Sequence, residues 1–383
     1  MPTSPITTEA SAPTAPSLAS ASGVLTIDLG AIAENYRRLR KAFQEKPLAA
    51  VVKADAYGLG MAEVAPVLVK QGARSVFVAQ LEEAIALRPV LDACHPAVSL
   101  YVLNGLMPGT EAAFIDNNIL PVLNSLGEID AWSRAAVERD RVLPAAIQLD
   151  SGMNRLGLPE AETSQLREAP ERLQGIAPTC FMSHLACADD PQHPQNAEQL
   201  AAFHAARRGL PKAPASLCNS SGIFLGPDYH FDLGRPGAAV YGVNPTPAAP
   251  SPVLAVVRLQ ARILQVRAID APQSVGYGAT HRATGPARIA TVAAGYADGY
   301  LRSISGRGRA WVDGREVPVV GRISMDLLAL DVTEVAPGAA CPGQMVDLLG
   351  PQHGVDALAQ EAGTIGYEIL TALGRRYHRT YLG

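Results

Sequence analysis

Lys53 stands at the end of an apolar run, Leu48 to Val52, that reads as a short buried strand, and turn-forming residues follow it through Gly60. A buried strand end seldom tolerates an unpaired ammonium. The lysine therefore snorkels to the surface, pairs with a carboxylate such as Asp55, or is used covalently, and the local sequence leaves all three open. Four more polar stretches end apolar runs in the same way: Asp150-Ser-Gly-Met-Asn-Arg155, His184, Asn219-Ser220-Ser221-Gly222 and Gly234-Arg235-Pro236-Gly237. Each has a structural account taken alone: a hydrogen-bonded core histidine, a rim arginine, a serine that caps a helix. Gathered on one face, the same groups suit acid–base work and the holding of an acidic ligand.

What gathers them is the order of the elements. Apolar, strand-like runs occur at residues 48–52, 75–79, 98–103, 119–122, 145–149, 179–184, 216–219 and 231–233. Between them lie stretches with apolar residues spaced by three and four, as at 61–71, 81–93, 129–138, 159–173 and 197–208. Strand then helix, eight times in about 200 residues, predicts a closed (β/α)8 TIM-like barrel, with an open doubly wound sheet as the alternative. The first strand is not followed by a G-x-G-x-x-G turn that would favour the latter. In a barrel the C-terminal strand ends form the catalytic face, and all five polar endings fall there.

After Gly242 the texture changes. A proline-rich linker, Asn244 to Pro252, precedes short Val- and Ile-rich runs broken by Gly, Pro and Asp, which predict a separate β domain. The expected division is a disordered tail over 1–23, a barrel over 24–248 and a β domain over 249–383, with the strand at 25–29 able to join the β domain. The tail is Ser-, Thr-, Ala- and Pro-rich and lacks the basic and apolar regions of a signal peptide. No run of eighteen apolar residues predicts a membrane span. A formal net charge of −4 gives no footprint for nucleic acid or for an anionic membrane. The five cysteines are scattered, without zinc-ligand spacing, which suits reduced thiols in the cytoplasm and no metal site.

Six motifs, in order through both domains, carry a family resemblance: Val52-Lys-Ala-Asp-Ala-Tyr-Gly-Leu-Gly60, Asp150-Ser-Gly-Met-Asn-Arg-Leu-Gly157, Ser183-His-Leu-Ala186, Gly276-Tyr-Gly278, Gly295-Tyr-Ala-Asp-Gly299 and Gly321-Arg-Ile-Ser-Met-Asp326. The chain resembles the alanine racemases that use pyridoxal 5'-phosphate, from about residue 24 to its end. The resemblance implies that Lys53 holds the cofactor covalently and is one of two acid–base groups. Tyr277, supplied by the other subunit of a homodimer, would be the second, so that each face of the substrate Cα has its own base. It also implies that Arg235 meets the pyridine nitrogen and that His184 lies against the ring. Ser220, Gly237, Ala238, Tyr57 and Tyr367 match phosphate-binding positions, as expected of barrel loops after strands seven and eight. Arg155 would lie near the cofactor's phenolic oxygen and the substrate carboxylate, the backbone of Met325 from the other subunit would hold that carboxylate with Asp326 beside it, and Tyr296 would narrow the entrance.

Two positions depart from the family pattern. Gln148 stands where many members have a carbamylated lysine that orients the arginine equivalent to Arg155, so the neutral amide, Asp150 or a bound anion must hold Arg155 instead. Ser216 stands where a histidine is common. These changes bear on substrate range. Alternative readings are a racemase for another amino acid such as serine, another barrel-plus-β enzyme with the same cofactor, or a non-catalytic binder of that cofactor. The last class lacks the second domain, and a role limited to structure would leave the aligned strand ends unexplained.

Overall fold

The computed structural model describes residues 20–383. The described chain divides into two compact units: one comprises residues 27–258, 349–373 and 381–383, and the other comprises residues 20–26, 259–348 and 374–380. The expected tail lies outside the described residues except at 20–23. There Ala21 is buried and its carbonyl accepts from Arg262, and Gly23 already belongs to a strand.

The larger unit is built on a sheet of seven parallel strands in sequence order: β2 (Ala50–Val51), β3 (Ser75–Val78), β4 (Ser99–Val102), β5 (Leu120–Leu123), β6 (Leu143–Gln148), β7 (Ile176–Met182) and β8 (Ala215–Ser216). Each is followed by helical or turn structure on its outer side. Strands covered on both faces must be apolar along their whole length. Leu120 to Leu123 are accordingly all buried. The eighth strand expected at 231–233 is reduced to a bridge. Asp232 and Leu233 donate to Ala215 on one side, while Gly234 exchanges backbone hydrogen bonds with Pro47 and Ala49 on the other. That bridge closes the curl, and it stays short because Gly234 is pressed against Leu48 and Phe43 and leads directly into Pro236.

The outer helices follow their sequence signals. The helix Leu29–Ala42 starts where the Asp28 side chain accepts from Ala31 N, buries Ile32, Tyr36 and Leu39 on one stripe, and carries Arg40 and Lys41 in its last turn. Two helices, Val355–Ala362 and Gly366–Ala372, lie in the stretch expected to be all β, and they belong to the barrel unit.

The other unit is an eight-stranded sheet. It comprises β1 (Gly23–Asp28), β9 (Val257–Ile269), β12 (Ala287–Val292), β13 (Arg309–Val312), β14 (Arg315–Val320), β15 (Leu328–Asp331), β16 (Met345–Leu349) and β17 (His378–Leu382). β1 lies between β9 and β17, so the strand expected near 25–29 does join the β sheet. A separate antiparallel hairpin pairs β10 (Ser274–Val275) with β11 (His281–Arg282).

Candidate active site

The C-terminal ends of six of the seven parallel strands, all but β5, contribute residues to one cavity of about 670 Å³. Lys53 and Tyr57 enter it after β2, Ala79 after β3, Asn104 after β4, Gln148 from the end of β6, His184 after β7 and Ser220 after β8, with Arg235, Gly237 and Ala238 following the closing bridge. Arg155 reaches it from the loop after β6, and Tyr367 from the helix Gly366–Ala372. All the cofactor positions expected from the sequence therefore line one cavity, and so does Arg155.

The chain leaves Lys53 in an unusual way. Ala54, Asp55, Ala56 and Tyr57 all have φ between +53° and +58°, which makes a left-handed turn of four non-glycine residues. Each such residue costs roughly 1–2 kcal/mol relative to the right-handed form, so the turn needs outside support. Glu83 accepts from Ala54 N at 2.6 Å, and Asp55 accepts from Met61 N at 2.8 Å. Asp55 is thus occupied by the backbone, and the carboxylate charge felt by Lys53 is that of Glu83. Burial, and then the Arg155 guanidinium, hold the Lys53 amine below the usual lysine range, against the opposing pull of Glu83.

Arg235 is buried and donates to Ser216 Oγ and to Ser183 O. Ser216, in the place where a histidine was the common alternative, passes a hydrogen bond on to Leu233 O. The His184 pKa is pushed down to about 3 by burial and then by Arg235, Arg155 and Lys53, so the ring is neutral at any working pH. Ser220 Oγ accepts from Gly237 N at 3.0 Å and from Ala239 N at 3.2 Å, which leaves its own proton to donate into the cavity. A Cβ on Gly237 would come 2.3 Å from Tyr57 Oη, so only glycine lets the tyrosine hydroxyl lie against this backbone. Burial raises the Tyr57 and Tyr367 hydroxyls above their ordinary range and keeps both as donors.

This donor set fits an anionic, aromatic cofactor. A hydroxyl-rich cradle with close backbone approach suits a phosphate, a buried fixed guanidinium suits a ring acceptor, and an amine with a lowered pKa suits attack on a carbonyl carbon. The three cations, Lys53, Arg155 and Arg235, face a neutral histidine, so a bound anion is electrostatically favoured.

Neither protein group offered as the holder of Arg155 does that task. The Gln148 amide donates to Leu156 O at 3.1 Å, and Asp150 Oδ1 accepts from the backbone of Gly152, Met153 and Asn154. Gln148 therefore fixes the loop one residue beyond Arg155, and Arg155 as a whole is an exposed residue.

Tyr277, Tyr296, Met325 and Asp326 belong to the β unit. Tyr277 projects from the turn of the β10–β11 hairpin, 70% exposed. Arg322 lies under that turn, its Nη1 3.0 Å from where a Gly278 Cβ would sit. The other three are tied together: Tyr296 N donates to Ser324 O, Ala297 N donates to Met325 O, and Arg376 bridges Asp326 to the buried Asp298. Met325 is 54% exposed.

Two features escaped the sequence. The helix Gly366–Ala372 carries Tyr367 from a stretch with no strand pattern of its own. Glu83 is the third residue of a capping box whose N-cap is Gln80, and the Gln-x-x-Glu spacing before an apolar run was its available signal.

Residues 27–245 match the family described as alanine racemase, N-terminal domain, and residues 256–381 match alanine racemase, C-terminal domain. Among curated relatives, a catabolic alanine racemase of Mesorhizobium japonicum is 51% identical over 365 residues, covering 95% of this chain and 94% of its own length. The alanine racemase of Rhodospirillum rubrum is 50% identical over 364 residues, covering 95% and 96%. Among solved structures, the Bartonella henselae alanine racemase with covalently bound pyridoxal phosphate superposes with a TM-score of 0.90 at 41% identity, covering 94% of this chain and all of that one. The biosynthetic enzyme of Pseudomonas aeruginosa gives a TM-score of 0.85 at 35% identity, covering 95% and 100%.

Proposed function

The chain belongs to the alanine racemase family, with pyridoxal 5'-phosphate as its cofactor, and on that premise we propose that it interconverts L- and D-alanine by a two-base mechanism in a cytoplasmic homodimer. The observation that carries this reading is the convergence of Lys53, with its lowered pKa, and the whole phosphate and ring-binding set on one cavity at the barrel's C-terminal face.

When bound, the cofactor withdraws electrons from the substrate Cα and makes its proton acidic. Ser220, Gly237, Ala238, Tyr57 and Tyr367 hold its phosphate. Arg235, fixed by Ser216 and Ser183, donates to the pyridine nitrogen. A guanidinium keeps its own proton, so that nitrogen stays unprotonated and the electron pull is limited, which disfavours side reactions such as transamination. His184, neutral, packs on the ring. Lys53 takes or gives a proton at one face of Cα, and Tyr277 of the partner subunit does so at the other. Arg155 and the backbone at Met325, with Asp326 beside it, hold the substrate carboxylate, and Tyr296 restricts the side chain to a methyl group. A restriction of that kind discriminates by about 10- to 200-fold per methylene, so serine is the competing substrate to measure. The product serves peptidoglycan precursors or alanine catabolism. Relatives bear both the catabolic and the biosynthetic name, which favours neither.

Borohydride reduction of the cofactor-loaded protein, followed by peptide mapping, should leave the label on Lys53. A label on another residue would overturn the assignment. A panel of L-amino acids coupled to D-amino acid oxidase should give alanine the highest kcat/KM.

A further inference from the structure

Glu83, at the start of the helix Leu81–Cys94, does not line the cavity but is bonded to the residue directly after Lys53. One of its oxygens does local work, since Oε2 accepts from Ala79 N at 2.8 Å and from Gln80 N at 3.0 Å, completing the capping box. A helix cap needs no more than that. The other oxygen, Oε1, accepts from Ala54 N at 2.6 Å, 29 residues away in sequence and directly after Lys53. Ala54 is the first residue of the left-handed turn, the point where the chain's departure from β2 is set. The rest of the turn has its own supports: Asp55 on Met61 N, Gly60 N on Asp55 O, and the Tyr57 ring against Tyr241 at 4.9 Å. At the lysine end Ala56 N donates to Val52 O, and the Glu83 bond is the one side-chain support there among the described residues.

We propose that Glu83 is a positioning residue for Lys53, fixing the left-handed exit of the backbone through Ala54 and supplying the anionic charge that faces the amine. The inference rests on Lys53 being the cofactor lysine and acid–base group. The charged groups around that amine come from several elements. Arg155 comes from the loop after β6, His184 follows β7 and is neutral, Glu83 comes from the helix after β3, and Asp55 sits on the turn itself, turned to Met61 N. Glu368 lines the cavity from the helix Gly366–Ala372 and is engaged with Thr364. Glu83 is thus the carboxylate that opposes Arg155 at Lys53.

Two variants separate its roles. Glu83→Asp keeps a carboxylate at the third position of the helix, where it still favours the N-terminus, but is one methylene too short to cap Gln80 and reach Ala54 together. Glu83→Gln keeps the length and loses the charge. In full-length Glu83→Asp, amide hydrogen exchange should quicken in the peptide spanning residues 53–58 while that spanning 81–94 stays protected, with or without cofactor. In the loaded enzyme kcat should fall by a factor on the order of 10² with a smaller change in KM, the loss expected of a group displaced by about 1 Å. In Glu83→Gln the acidic limb of the kcat–pH profile should move to lower pH, because removing an anion favours the neutral amine. Unchanged exchange at 53–58 in Glu83→Asp, or a lower Tm with undiminished kcat per folded molecule, would reduce Glu83 to a helix cap and overturn the proposal. An unmoved pH limb in Glu83→Gln would overturn its electrostatic half. A wild-type label away from Lys53 would instead sink the parent reading, while the exchange result would still report on the Ala54 bond.

Discussion

At the scale of single residues, the chemistry depends on amines and rings whose protonation the cavity controls. Lys53→Ala should lower racemisation by about 10⁴-fold, the upper end of what a placed acid–base group contributes, measured by the coupled oxidase assay. Tyr277→Phe should slow solvent hydrogen exchange at Cα for one enantiomer more than for the other. Equal loss in both directions would contradict a base on each face. His184 gives a stability prediction. Its folded pKa is depressed from 6.5 to about 3, so below 6.5 the unfolded chain binds a proton that the folded chain refuses. Its contribution is whole above 6.5 and is lost as pH falls toward 3. The Tm of the cofactor-free protein should drop across that window, and His184→Gln should flatten the drop. The lysine, histidine and arginines were legible because strand ends and motifs place them. Glu83 was not, because its second partner is 29 residues away and depends on how the turn after Lys53 is wound.

At the scale of elements, the cavity is shaped by close approaches that a motif marks without explaining. Gly237→Ala would set a Cβ against Tyr57 Oη and push the tyrosine away from the backbone proposed to hold the phosphate. The Kd for pyridoxal 5'-phosphate should rise at least about tenfold, a cost of about 1.4 kcal/mol, read by fluorescence titration of the cofactor-free protein. Seven strands were visible as apolar runs, although β2 and β8 keep only two residues each. The eighth shrank to a bridge, since a run ending in Gly-Arg-Pro-Gly has too few free N–H groups and too much crowding to extend a ladder. The helices at 355–372 were missed because they sit within a β-rich stretch yet pack with the barrel. Hydrophobic periodicity reports that a face is buried, and it does not say in which unit.

At the scale of the whole molecule, the residues expected to act together fall into two compact units of one chain, the binding set in the barrel and Tyr277, Tyr296, Met325 and Asp326 in the β unit. A homodimer with shared sites makes a direct prediction. Mixing inactive Lys53→Ala and Tyr277→Phe chains after dissociation should restore activity, to about one quarter of wild type, because half of randomly formed dimers are mixed and each mixed dimer holds one intact site. No recovery would place both bases in one chain. The sequence by itself determined the family, the strand-end place of Lys53 and the order of strands and helices, because these follow from residue type, spacing and local apolar pattern. Only the tertiary structure decided that Lys53 leaves its strand through a left-handed turn held by Glu83. It also decided that Gln148 braces Leu156 rather than Arg155, and that the approach of the Tyr57 hydroxyl needs glycine at 237. Each of these is a contact between groups far apart in the chain, and its geometry exists only once the barrel has closed.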